Sequence, residues 1–359
     1  MSSEARTAKM MPWKGLTLRT LVTEGRAFVA LAVIIIVFAM LSPNYLAFDN
    51  VVVMTRHVAL NALLAIGMLL VILTAGIDLS VGSTVGLSGV LAGYMLMQGV
   101  QIPGTQTVLY PSVWVIVVLC LLAGAMVGAI NGILITRFRV APFITTLGTL
   151  YVVRGAALLI AQGETFNDMT GKKALGNTGF SVLGLGTFLG LPTGIWVMII
   201  VSVAVALLLM KTVFGRWLYA LGGNERAAEL SGVPIKRVKI WVYALSGICA
   251  AATGLIIASE LTAGAPQTGQ SYELNAIAAV VIGGAALSGG RGHIRGTLLG
   301  AFVIGFLGDG LVIVGVSSFW QMVIQGSVII LAVALDEAQQ ASAKKQQASA
   351  KKPKPAKTT

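Results

Sequence analysis

Apolar stretches long enough to cross a bilayer recur along this chain, broken by short polar turns. The first covers about residues 27–42 and leaves through Pro43-Asn44-Tyr45. No small-residue cleavage site closes it, so it reads as an uncleaved span rather than a signal peptide. Further spans are expected over about 57–75, 79–98, 112–136, 142–161, 194–213, 240–259, 274–288, 295–314 and 318–335. Gly76-Ile77-Asp78 turns the chain between the second and third, and Asp78 is placed to cap the third helix. Gly82 follows in the same turn region, and Gly289 and Gly290 make the tight turn between the eighth and ninth spans. The expected fold is all-α, a polytopic membrane protein of about ten helices.

One polar, highly charged stretch stands apart, residues 214–239. Asn224 is a good N-cap, because its side-chain oxygen can accept a backbone N–H of the first turn. Glu225 sits where the helix dipole favours an anion. Gly232 supplies a left-handed stop, and Pro234 cannot continue the helix. A helix of about two turns is marginal alone in water, so another surface is expected to hold it. It is either a capped turn joining two spans or a docking knob for a cytoplasmic partner. Asn224, Glu225, Arg226, Ala228, Leu230, Ser231 and Gly232 form the candidate coupling surface.

Composition supports the membrane reading. Of 359 residues, 56% are apolar and only 11% charged, with a mean hydropathy of +0.88. That excludes an ordinary soluble domain. The 43 glycines suit helices that pack backbone to backbone. The net charge of +12 comes largely from short loops and a Lys-rich tail, which fits the cytoplasmic face of a bilayer better than nucleic acid. Cys120 and Cys249 lie within apolar runs and read as inert packing thiols. An even number of spans puts both termini on one side. With that side cytoplasmic, 21 of the 25 Lys and Arg residues fall inside, the exceptions being Arg56, Arg154, Lys172 and Lys173. The expected organisation is a basic cytoplasmic N-terminus (1–26), a transmembrane domain (27–335) containing the cytoplasmic 214–239 loop, and a disordered Lys-rich cytoplasmic tail (336–359).

Candidate chemistry is sparse. Gly171-Lys172-Lys173 lacks the glycine spacing and the Ser/Thr of a Walker A loop, so ATP hydrolysis would have to come from another polypeptide. His57 and His293 lie far apart near span ends and read as interfacial or loop residues, not as a metal or catalytic pair. Arg154 falls mid-span, where a central charge costs about 2.5–3.5 kcal/mol on insertion scales, so it faces the protein interior or a watery path. Asp309 is the best acidic candidate to pair with it, or to accept hydrogen bonds from substrate hydroxyls. Asn61, Asn131 and Asn275 either glue helices or line the path. Asn61, Asn131, Arg154, Asn275 and Asp309 together are the candidate translocation path. A weak internal likeness between residues 76–82 and 284–290 suggests a five-plus-five parallel repeat.

Four segments carry a family resemblance: residues 76–83 (GIDLSVGS), residues 131–149 from Asn131-Gly132 through Ala141-Pro142-Phe143 to Thr149, residues 214–232, and residues 272–284 from Tyr272-Glu273 to Gly283-Gly284. In this order, over roughly residues 45–335, the chain resembles the membrane subunit of bacterial ABC importers for monosaccharides, the ribose/xylose/galactose permease family. The resemblance implies a multi-pass protein of the bacterial inner membrane that pairs with a second permease copy or a related permease. It implies a periplasmic sugar-binding protein outside and a cytoplasmic ABC ATPase inside, with ATP and Mg on that ATPase and no cofactor on this chain. The 214–239 segment corresponds to the family's coupling region, with Gly223, Asn224, Glu225, Ala228, Leu230, Ser231 and Gly232 matching. Gly308-Asp309 departs from the Asn-Asn often found in the ninth span, which leaves open a polyol or related compound in place of a sugar. The expected mechanism is ATP-driven alternating access. The rival is an ion-coupled secondary sugar transporter, which needs a titratable centre at mid-membrane, and a third reading is a channel that needs no nucleotide.

Overall fold

A computed structural model describes residues 25–334 apart from Pro103 and Ala332. Almost all of the basic N-terminus and the whole of the Lys-rich tail lie outside the described residues. Thirteen α-helices follow in order among these residues: α1 Arg26–Leu41, α2 Phe48–Leu73, α3 Val81–Met97, α4 Val113–Arg137, α5 Pro142–Ile160, α6 Val182–Leu185, α7 Thr193–Lys211, α8 Val213–Gly223, α9 Glu225–Leu230, α10 Ile235–Glu260, α11 Tyr272–Ile282, α12 Ile294–Ile313 and α13 Ser318–Leu331. Six of them, α2, α4, α5, α7, α10 and α12, are long and apolar enough to cross a membrane, and the fold is that of a polytopic helical membrane protein. The shorter apolar helices α1, α3, α11 and α13 fall where the remaining spans were expected. Among the described residues three two-stranded antiparallel ribbons decorate the loops; in one, Phe166–Asn167 pairs with Ala263–Gly264.

Helices α2 and α10 form the centre. Every residue of α2 from Ala62 to Leu73 is buried, as is most of α10 beyond Tyr243. A stretch apolar on every face, as α2 is from Ala62 to Leu73, belongs inside a bundle rather than at its edge. Glycines let α10 lie directly on α4. A Cβ at Gly128 would stand 1.9 Å from the Tyr243 carbonyl oxygen, and one at Gly124 would stand 2.4 Å from that of Gly247. That is the backbone-to-backbone packing that the glycine content suggested.

The eighth expected span, about 274–288, is helical over only part of its length. Helix α11 has 11 residues and is therefore only about 16 Å long, half of a hydrocarbon core. Ahead of it, residues 261–271 run as non-helical chain along α3. A row of α3 glycines receives this segment and its partner ribbon. Gly93 faces Phe166, Gly89 faces Gly264, Gly86 faces the carbonyls of Pro266 and Thr268, and Gly82 faces the Gly269 carbonyl. Irregular backbone is tolerated beside membrane helices only where protein buries it and satisfies its polar groups. The periodicity of residues 274–288 could not show this, because an apolar run reads alike as a helix and as a helix that ends early at Gly283-Gly284.

Candidate functional site

A cavity of about 280 Å³ opens between α2, α11, α12 and α13. The helical repeat builds its walls: His57, Leu60 and Asn61 from one face of α2, Tyr272 and Asn275 from α11, Ile304, Gly305, Gly308, Asp309 and Val312 from one face of α12, and Gln321 and Gln325 from α13. His57 Nδ1 lies 3.0 Å from Asp309 Oδ1, while Asp309 Oδ2 is enclosed without a hydrogen-bond partner. The side-chain amides of Asn61, Asn275 and Gln325 make no hydrogen bond within the described residues. Gln321 Nε2 is occupied, donating to the Val316 carbonyl at 2.8 Å. Next to His57, Arg56 pairs with Glu260 at 2.7 Å and so ties α2 to the end of α10.

Three of the five path candidates, Asn61, Asn275 and Asp309, thus meet at one cavity. Arg154 and Asn131 do not line it. The Arg154 guanidinium donates to the carbonyls of Pro266, Thr268 and Gly82, so it satisfies the irregular backbone lying on α3. The expected pairing of Arg154 with Asp309 is corrected: Asp309 is held by His57. His57 lies within α2 and walls the cavity, so it is not a loop residue. Its i+4 relation to Asn61 was the signal available in the sequence.

Asn131 belongs to a buried polar chain around the Gly76–Gly82 turn. Ser246 Oγ donates to Asp78 Oδ2 at 3.0 Å, and both the N–H and the hydroxyl of Ser80 donate to Asp78 Oδ1. Asn131 Nδ2 donates to Ser80 Oγ at 2.9 Å, and Thr149 Oγ1 donates to Asn131 Oδ1 at 2.6 Å. This network joins α10, α4 and α5 to the turn before α3. Asp78 closes an Asx-type turn two residues ahead of the helix rather than capping α3 itself. Among the described residues no cluster of His, Cys, Asp and Glu could hold a metal ion.

The charged stretch after α7 forms two short helices. Thr212 caps α8 by accepting from Gly215 N at 3.2 Å, and Gly215, Leu218 and Leu221 bury its inner face. Residues 213–223 were expected to be part of a polar connector, yet the i, i+3 spacing of Leu218 and Leu221 with Thr212 ahead was a legible amphipathic signal. Asn224 then caps α9 by accepting from Ala227 N at 3.0 Å. Gly232, at φ +83°, closes α9: its N–H donates to the Glu229 carbonyl, and that of Val233 to the Ala228 carbonyl, a Schellman stop. Lys239 Nζ reaches Glu225 Oε1 at 2.7 Å and pins α9 to the start of α10. Ala228 is the buried contact, while Leu230 stands 75% exposed.

This hairpin meets the turns at one end of the bundle. Gly290 N donates to the Leu73 carbonyl at 3.0 Å, and Gly222 lies so close that a Cβ there would stand 1.9 Å from that same oxygen. Gly289 lies against Ala75, so the 74–80 turn and the 283–293 turn touch. Tyr219 donates its hydroxyl to the Gly292 carbonyl at 2.8 Å. The hairpin is therefore locked to the end of α2 and to the turn between α11 and α12, which are three of the four helices that wall the cavity.

The family described as "Branched-chain amino acid transport system / permease component" matches residues 50–333. The ribose import permease protein RbsC of Bacillus subtilis is 46% identical over 318 residues, covering 88% of this chain and 92% of that protein. The RbsC protein of Escherichia coli K12 is 41% identical over 317 residues, 88% and 94% of the two chains. The L-arabinose transport system permease protein AraH of Escherichia coli K12 is 33% identical over 342 residues, 95% and 98% of the two chains. No solved structure matches the chain significantly.

Proposed function

Because the chain belongs to this permease-component family, alongside the ribose and L-arabinose permeases, we propose that it is the membrane-spanning subunit of an ABC importer for a monosaccharide or related polyol. It lies in the bacterial inner membrane with about ten spans in a five-plus-five repeat and both termini in the cytoplasm, so residues 214–239 face inward and residues 162–193 outward. A cytoplasmic ATPase carrying ATP and Mg grips Asn224–Gly232, a periplasmic binding protein delivers the sugar, and a second permease copy or a related one completes the path.

The observation that carries this reading is the junction of Gly222 with Leu73 and Gly290. Movement of the docked α8–α9 hairpin must displace the end of α2 and the α11–α12 turn, because close-packed backbone leaves no slack. Those elements wall the cavity that holds Asn61, Asn275 and Asp309. ATP-driven closure of the partner thus biases a two-state bundle between inward and outward openings. The path need not bind tightly, since the external receptor supplies the affinity.

Uptake of labelled ribose and L-arabinose by cells carrying or lacking this chain tests the reading. ATP depletion should abolish the chain-dependent uptake, and an ionophore with ATP retained should leave it. Collapse under the ionophore alone would point instead to ion coupling through the His57–Asp309 pair.

A further inference from the structure

Resting on that reading, we propose that the cavity between α2, α11, α12 and α13 is a recognition subsite for one neutral polyhydroxy molecule, read by Asn61, Asn275, Gln325 and Asp309. Three partly exposed amides without a protein partner line a single cavity beside an enclosed carboxylate oxygen that also has none, so their hydrogen-bonding capacity is left for water or a solute. A hydroxyl both donates and accepts, so a polyol completes each of these groups: it donates to the carboxylate or to an amide oxygen and accepts from an amide N–H. The Asp309 carboxylate swings about a soft terminal torsion, so its free oxygen can turn toward the cavity while the other stays near His57.

The same lining disfavours an amino acid. A carboxylate there would need a free cation, but the lining contains no Lys or Arg, and its histidine is already on Asp309. The volume, about 280 Å³, lies just under the usual range for small-molecule pockets of roughly 300–1,000 Å³, which suits a single sugar ring. Gly308 keeps the space open: a Cβ there would stand 3.3 Å from Gln325 Nε2.

The test replaces the chromosomal copy with Asn275→Leu, Gln325→Leu and Gly308→Leu variants and measures labelled ribose and L-arabinose uptake per permease molecule in the membrane. Half-saturation, set by the binding protein, should hold while maximal uptake falls roughly tenfold. Gln325→Asn, which keeps an amide, should retain most of the rate. Gln325 sits on the outermost of the four helices, so this pair separates recognition from folding even if Asn275→Leu lowers the amount of protein. Uptake within twofold of wild type in both Gln325→Leu and Gly308→Leu overturns the subsite while leaving the transport role intact. Loss of neither sugar's uptake on deleting the chain would instead remove the functional reading beneath it.

Discussion

Arg154 and Pro266, 112 positions apart, meet where the chain between α10 and α11 lies along α3: the guanidinium donates to the Pro266 carbonyl, and it reaches Thr268 and Gly82 as well. A cation in the middle of an apolar helix thus serves as the hydrogen-bond donor for the Pro266 and Thr268 carbonyls, which lie outside any helix. Replacement by Met should cost about 1.5–3 kcal/mol. It should appear as a lower melting temperature in detergent and a reduced steady-state level in the membrane. Lys, with its single ammonium and no planar fork, should rescue only partly.

Close packing of α4 on α10 gives a second expectation. A side chain at Gly128 must push Tyr243 away, since its Cβ alone would overlap that residue's carbonyl. Gly128→Ala should destabilise the protein by about 1–3 kcal/mol, and Gly128→Leu should prevent accumulation. Gly148→Ala, with no neighbour within 4 Å of the added atom, should melt like wild type in the same assay.

The polar chain through Asp78 should discriminate between similar substitutions. Asp78→Asn keeps an oxygen for the Ser80 donors and offers an amide to Ser246, whose hydroxyl can reverse its role. Asp78→Ala strands the donors of Ser80 and Ser246 in a buried site. Thermal unfolding should show Asn near wild type and Ala lower by about 1–3 kcal/mol.

The junction beneath the α8–α9 hairpin should separate assembly from transport. Gly222→Ala should insert in the membrane and still bind the ATPase, because the close contacts of Gly222 fall on Leu73 and Gly290 rather than on the exposed side chains of α9, yet sugar uptake should fall at least roughly tenfold as the wedge between Leu73 and Gly290 is forced apart. Copurification of the ATPase and uptake in the same cells measure both halves of this prediction.

The helical, membrane-spanning nature of the chain was legible because apolar runs and glycine content are properties of local text. So was α9, since Asn224 and Gly232 are capping signals that act within one turn. The half-length of α11 and the segment packed on α3 were not legible, because that segment's backbone is satisfied by Arg154 and by residues 166–167, far away in the chain. Asn61, Asn275 and Asp309 could be nominated as polar residues in apolar spans, but nothing local distinguished them from Asn131 and Arg154. Only packing shows that Asn131 bonds to Ser80 and Thr149, while the first three share a cavity. His57 was underrated for the same reason, its partner lying 252 residues away.

Coupling to a cytoplasmic ATPase requires that Leu230 be presented on the inner side of the bilayer. In a Leu230→Cys variant, a membrane-impermeant maleimide applied to sealed right-side-out and inside-out vesicles reads this directly, since native Cys120 and Cys249 are buried. Labelling confined to inside-out vesicles, and blocked when the ATPase is bound, is the predicted result. Labelling from the outside of right-side-out vesicles would place the hairpin beyond the reach of any cytoplasmic ATPase and contradict the account.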